Sequence, residues 1–169
     1  MALKDSLLPE FDREMATTRK TLERAPTDKF DWKPHQKSSS MGELTHHLAH
    51  LPWWGGMALG SDSFDFAPDG KPMKLRETKT IDEVLSWFDE NVATTRQALA
   101  EASDDDFGKS WTLFFNGRKI TTKSKAEVMR DFVLSHIIHH RAQLGVYLRL
   151  NDIPLPMTYG PSADENPFG

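Results

Sequence analysis

Asp131-Phe-Val-Leu-Ser-His136-Ile-Ile-His-His140-Arg-Ala-Gln-Leu144 combines a helical pattern of apolar residues with two histidines four positions apart. At about 100° per residue His140 lies about 40° from His136, so both imidazoles leave one face of the helix and can reach one ion. Met129, Phe132, Val133, Leu144 and Tyr147 fall within about 80° of His136 on the same face. The pair thus sits inside an apolar stripe, where an imidazole without a partner costs about 1–3 kcal/mol. Either a bound ion or hydrogen bonds to Tyr147, Gln143 or backbone carbonyls must satisfy it.

Outward from this stretch the chain divides into four helical segments. Ser124-Lys-Ala-Glu127 is a capping box that opens the histidine helix, which runs to about Leu150. Before it, Trp111 to Thr122 places Asn116-Gly117 between residues of high strand propensity, the pattern of a short hairpin. Thr80-Ile-Asp-Glu83 caps a third helix to about Ala102, with Ile81, Val84, Leu85, Phe88, Val92, Thr95 and Leu99 in period. Gly60 to Lys79 is rich in Asp, Ser, Pro and Gly and reads as a long crossover loop. Ser40-Met-Gly-Glu43 caps a second helix, expected from Met41 to Leu59, and a first helix is expected from Ser6 to Arg24. After Leu150, Ile153-Pro-Leu-Pro-Met carries too many prolines for helix and is expected to pack extended. Four helices with one hairpin between the third and fourth indicate an all-α four-helix bundle.

The 169 residues, with 38% hydrophobic and 27% charged content, suit one soluble domain spanning 1–169. A net charge of −4 offers no electrostatic footprint for nucleic acid. No stretch approaches the roughly 18 apolar residues of a membrane span and the first residues form no signal core, so a cytoplasmic protein without membrane partners is expected. With no cysteine, any thiol chemistry must use a thiol brought by the substrate.

The second helix supplies a further inward histidine. Its stripe of Leu44, His47, Leu48, Leu51 and Ala58 lies within about 60° of Leu44, whereas His46 and His50 lie at about 200° and 240° and are expected to face solvent. His47, His136 and His140 form a three-nitrogen set suited to a divalent ion such as zinc or nickel, with a position left for water or substrate. Glu43-Leu-Thr-His46 matches one half of a di-iron motif, but the fourth helix has no glutamate near its histidines to supply the other half. His139, at the stripe's edge, is either a group behind the ligands or a surface residue. Trp53 and Trp54 are expected in the core, in an interface or against a substrate. Arg141 points about 140° from His136 and is expected at an interface or an anion. Leu134, Ile138 and Leu148 point away from the histidines. Either a second copy of the chain in a homodimer or the hairpin or tail of the same chain must cover them.

Glu43-Leu-x-x-His47-Leu-Ala, together with His136-x-x-x-His140-Arg-x-Gln143-Leu and Tyr147-Leu-Arg, resembles the DinB-like (YfiT-like) metal-binding bundles. Asp31-Trp-Lys-Pro and the Pro-Leu-Pro tail extend the resemblance over most of the chain; Ala142 stands where members often have Gly. The resemblance implies an up-down-down-up bundle, usually a homodimer, with a divalent ion on His47, His136 and His140. It further implies a metal-dependent transferase using a low-molecular-weight thiol, or a hydrolase. The competing reading is a non-catalytic metal-stabilised or ligand-binding stress-response bundle. Neither substrate nor metal identity follows from the residues.

Overall fold

The computed structural model describes residues 2–168. It is mostly helical with a small three-stranded sheet. The long helices are α1 (Leu3–Leu22), α2 (Met41–His50), α3 (Trp53–Gly60), α4 (Ile81–Glu101) and α7 (His136–Leu150); α5 (Asp104–Gly108) and α6 (Lys125–Val128) are short. Among the described residues no helix is long and apolar enough to cross a membrane.

All three expected capping boxes form: Ser40 with Glu43, Thr80 with Glu83, and Ser124 with Glu127. In each, the hydroxyl accepts from a first-turn N–H while the glutamate takes the cap residue's own N–H, satisfying donors the helix cannot. They fix where the helices begin.

The expected second helix is two helices. Pro52 lacks an N–H to continue α2, and side chains of α4 donate to carbonyls on either side of the break. Asn91 Nδ2 donates to the Ala49 carbonyl (2.8 Å), and Thr95 Oγ1 donates to the Pro52 carbonyl (2.6 Å). The Gly56 N–H donates back to Thr95 Oγ1 (2.9 Å). α3 is thereby held against α4.

The fourth helix is also irregular. Between α6 and α7, Met129–Ser135 forms a π-helical segment, a wider turn often found beside functional sites. Leu134, expected to face outward, is 3% exposed and belongs to the core, so this helix is buried on more than the histidine face. Leu148 is fully buried, and Ile138 is half-buried in a groove closed by Leu155, Pro156 and Tyr159 of the extended tail. The chain itself therefore covers the second apolar face of this helix. α1 and α2 each pack against both α4 and α7.

The hairpin forms from β2 (Ser110–Phe115) and β3 (Arg118–Ser124), paired antiparallel around Asn116 and Gly117, both at positive φ. The crossover loop adds a strand absent from the sequence reading, β1 (Ser63–Asp65), which runs parallel to β2. The Asp65 carboxylate locks the two together by accepting from the Asn116 and Gly117 N–H groups (3.0 and 2.8 Å). A three-residue strand with a single partner is too short for its alternation to stand out as a pattern.

Candidate metal centre

His47 comes from the last turn of α2, and His136 and His140 from the first turns of α7. Their ligand-capable atoms all lie within 4.8 Å of one another, and each residue is partly buried. The Nε2 atoms of His47 and His136 stand 3.3 Å apart. Two nitrogens bound at about 2.05 Å to a tetrahedral ion are separated by about 3.3 Å, so this spacing fits a zinc-sized ion.

The tautomer at His140 is fixed by its neighbour. Its Nδ1–H donates to Gln143 Oε1 (2.7 Å), an atom that can only accept, which leaves the Nε2 lone pair free. Of the alternative partners expected for the histidines, Tyr147 is engaged elsewhere, donating to the Ser39 carbonyl (3.1 Å). Burial, followed by the neighbouring His140 and His136, pushes the His47 imidazole down to about 4. Burial also lowers His136 and His140, against opposing hydrogen bonds from the Phe132 backbone and Gln143 respectively. At neutral pH all three rings are uncharged, as ligands must be. Among the described residues no other His, Cys, Asp or Glu joins the group.

The remaining histidines divide differently from the sequence reading. His46 Nε2 donates to the Arg76 carbonyl (2.5 Å) and its ring lies against Trp87, away from the centre. His139 is exposed, with its ring 4.7 Å from that of His140. His50 was expected in solvent, yet it is 5% exposed and stacks on Trp53 and Trp87. The single-stripe reading failed because α2 is buried against both α4 and α7, leaving little of its circumference free. A usable signal existed, since His50 lies only about 60° from His47 on the helix.

The anion that Arg141 contacts is a carboxylate of the same chain. Arg141 is 4% exposed and pairs with Glu14 of α1 (2.8 Å), while also donating to the Thr18 hydroxyl (3.2 Å) and to Tyr159 (2.6 Å). Burial alone would raise the Glu14 carboxyl, but hydrogen bonds from Tyr159 and Arg141 outweigh it and hold the group below the usual range. The pair anchors α7, and with it both histidines, to α1.

Beside the centre is a chamber of about 320 Å³ lined by His47 and His136 together with His50, Trp54, Phe66, Leu75, Leu113 and Phe132. Phe66 and Leu75 come from the crossover loop and Leu113 from β2. Trp54 makes edge contacts with Phe64, Trp111 and Phe132, so the rings support one another. Loop residues carry no periodicity, so their convergence here left no trace in the sequence.

A model of the DinB superfamily matches residues 10–144, which include all three histidines and most of the bundle. This chain belongs to the DinB superfamily. The uncharacterised protein YjoA of Bacillus subtilis is 24% identical over 152 residues, spanning 88% of this chain and 91% of YjoA. The crystal structure of that DinB-like protein superimposes with a TM-score of 0.70 at 18% identity, covering 90% of this chain and 96% of its own. A DinB-like protein from Bacillus cereus superimposes at 0.68 and 14% identity, covering 94% and 98%. At such identities the superpositions establish a shared fold.

Proposed function

We propose that this DinB-superfamily protein binds a divalent ion, zinc or nickel, through His47, His136 and His140. We further propose that it acts as a metal-dependent transferase of a small-molecule thiol or as a hydrolase. The observation that carries the reading is the convergence of three neutral imidazoles within 4.8 Å, with no fourth candidate ligand among the described residues. A bound ion in such a site supplies Lewis acidity, which lowers the pKa of coordinated water to about 7 and readily deprotonates a thiol. The chain contributes the ligands, fixes the His140 tautomer through Gln143 and keeps an apolar space beside His47 and His136. A purely structural site is closed by four protein ligands, whereas a three-ligand site beside a chamber favours a catalytic one.

The up-down-down-up path implied by the family resemblance is proposed with it, supported by α1 and α2 each neighbouring both α4 and α7. A homodimer is likewise proposed. The tail already covers Ile138, so the contact would use Val146 and Leu150, one turn apart on α7 and 57% and 59% exposed. Sedimentation equilibrium tests the dimer without reference to the metal.

Elemental analysis of the purified protein should return about one divalent ion per chain. A screen of small thiols with electrophilic acceptors, and of hydrolysable esters and amides, should show activity that chelation removes and metal restores. Less than a tenth of an ion per chain after incubation with zinc and nickel would overturn the reading.

A further inference from the structure

Besides His47 and His136, His50 is the one side chain in the chamber wall that can both donate and accept a hydrogen bond; the Trp54 indole can only donate. Its ring faces are occupied by Trp53 and Trp87, with centroids 5.2 and 5.6 Å away and planes inclined by 21° in both cases. Among the described residues neither ring nitrogen has a hydrogen-bond partner. Nor is any buried side-chain nitrogen or oxygen left unsatisfied and sealed from solvent. The unpaired nitrogens of this 5%-exposed residue are therefore not sealed from solvent, and the residue lines the chamber. Everything else facing that space, Trp54, Phe66, Leu75, Leu113 and Phe132, is apolar or aromatic, and no Asp, Glu, Lys or Arg lines it.

We propose that the chamber binds a small, uncharged, largely apolar or aromatic molecule carrying one hydroxyl or comparable polar group, and that His50 is the positioning residue that hydrogen-bonds this group. The inference rests on the metal-centre reading only in placing the reacting end of the ligand at His47 and His136. In the metal-free protein a charged ligand is excluded by chemistry, since an ion moved from water into an apolar wall without a counter-charge loses far more than the wall returns. A neutral hydroxyl is accepted because an imidazole offers both a donor and an acceptor. Burial keeps that imidazole neutral by lowering its pKa to about 4, so at pH 7 it adds no charge to the wall. The chamber's volume is at the lower end of small-molecule sites and suits one aromatic ring with a short substituent.

The test uses the full chain freed of metal by chelation, with p-cresol, toluene and 4-hydroxybenzoate as probes at pH 7.5, followed by tryptophan fluorescence and saturation-transfer NMR. p-Cresol should bind at least tenfold more tightly than 4-hydroxybenzoate, whose carboxylate finds no counter-charge. In His50→Phe, which retains the stacked ring, p-cresol should lose about tenfold while toluene is unchanged; His50→Gln should restore part of the loss. Equal binding of p-cresol and 4-hydroxybenzoate, or no binding of p-cresol, overturns the proposal in the unaltered protein, whether or not the variants fold. Parallel loss of toluene and p-cresol in His50→Phe would make His50 structural and overturn its positioning role. The probes need no ion, and zinc titration of the same sample reports the metal reading separately. Probe binding without zinc binding sinks that reading alone, and zinc binding without probe preference sinks this one.

Discussion

His47 and His136 are separated by 89 positions in the chain, yet their Nε2 atoms face each other at 3.3 Å. Two neutral nitrogens at this distance gain one hydrogen bond at most, whereas an ion between them would satisfy both lone pairs. His47→Ala, His136→Ala and His140→Ala are each expected to abolish stoichiometric zinc or nickel binding. His46→Ala and His139→Ala are expected to leave it intact, because His46 Nε2 is already engaged by the Arg76 carbonyl and His139 is exposed. Isothermal titration calorimetry on the five variants decides this, and metal retained by His47→Ala would refute the assignment.

Gln143 is expected to matter without touching the ion. Its Oε1 holds His140 Nδ1–H at 2.7 Å and so aims Nε2 at the centre. Removing such a supporting partner typically costs 10–100-fold in metal affinity. Gln143→Leu should fall in that range, and Gln143→Glu, which keeps an acceptor, should fall less. Competition with a chromogenic chelator measures both.

Acid should destabilise the metal-free protein in a defined window. The folded chain keeps His47 and His50 neutral down to about 4, whereas the unfolded chain protonates them near pH 6.5. Between these values the unfolded state binds more protons, so stability that is complete above pH 6.5 drains away as pH falls towards 4. Thermal melts from pH 7.5 to 4 should show the decline, and His50→Phe should flatten part of it. Zinc binding should persist well below pH 6.5, since protons compete weakly for a depressed imidazole.

The Glu14–Arg141 pair is buried on both sides, with side chains 3% and 4% exposed. Deleting one partner strands a charge, so Glu14→Leu or Arg141→Leu alone should cost about 3–5 kcal/mol in urea unfolding. The double variant should recover at least half of that loss. Tyr159→Phe, which removes the hydroxyl donating to Glu14 at 2.7 Å, should cost about 1 kcal/mol.

Gly55 marks the closest approach of α3 to its neighbours. A Cβ there would lie 2.6 Å from Thr95 Cγ2 and 2.8 Å from Met129 Sδ. Gly55→Ala should cost about 1–3 kcal/mol through overpacking. Adding Thr95→Ser, which removes the methyl but keeps the hydroxyl that donates to the Pro52 carbonyl, should restore part of it. Chemical denaturation of the single and double variants checks both steps.

The sequence by itself determined the helix starts, the hairpin turn and the approximate bundle. Each of these is written in local chemistry: Ser40, Thr80 and Ser124 with a glutamate three residues on, Asn116-Gly117, and a repeating apolar stripe. It also brought forward His47, His136 and His140, because those residues share the phase of the apolar stripes. Tertiary structure alone decided which other faces were buried. A helical wheel assumes one buried face; α2 has neighbours on two sides, and so does the fourth helix, which packs against both α1 and α2. His50 and Leu134 therefore went inward against expectation, and the proline-rich tail covered Ile138. The chamber beside the histidines belongs wholly to this second category. Phe66, Leu75 and Leu113 meet there because β1 pairs with β2 and Asp65 ties it to the hairpin turn, long-range contacts that no local periodicity encodes.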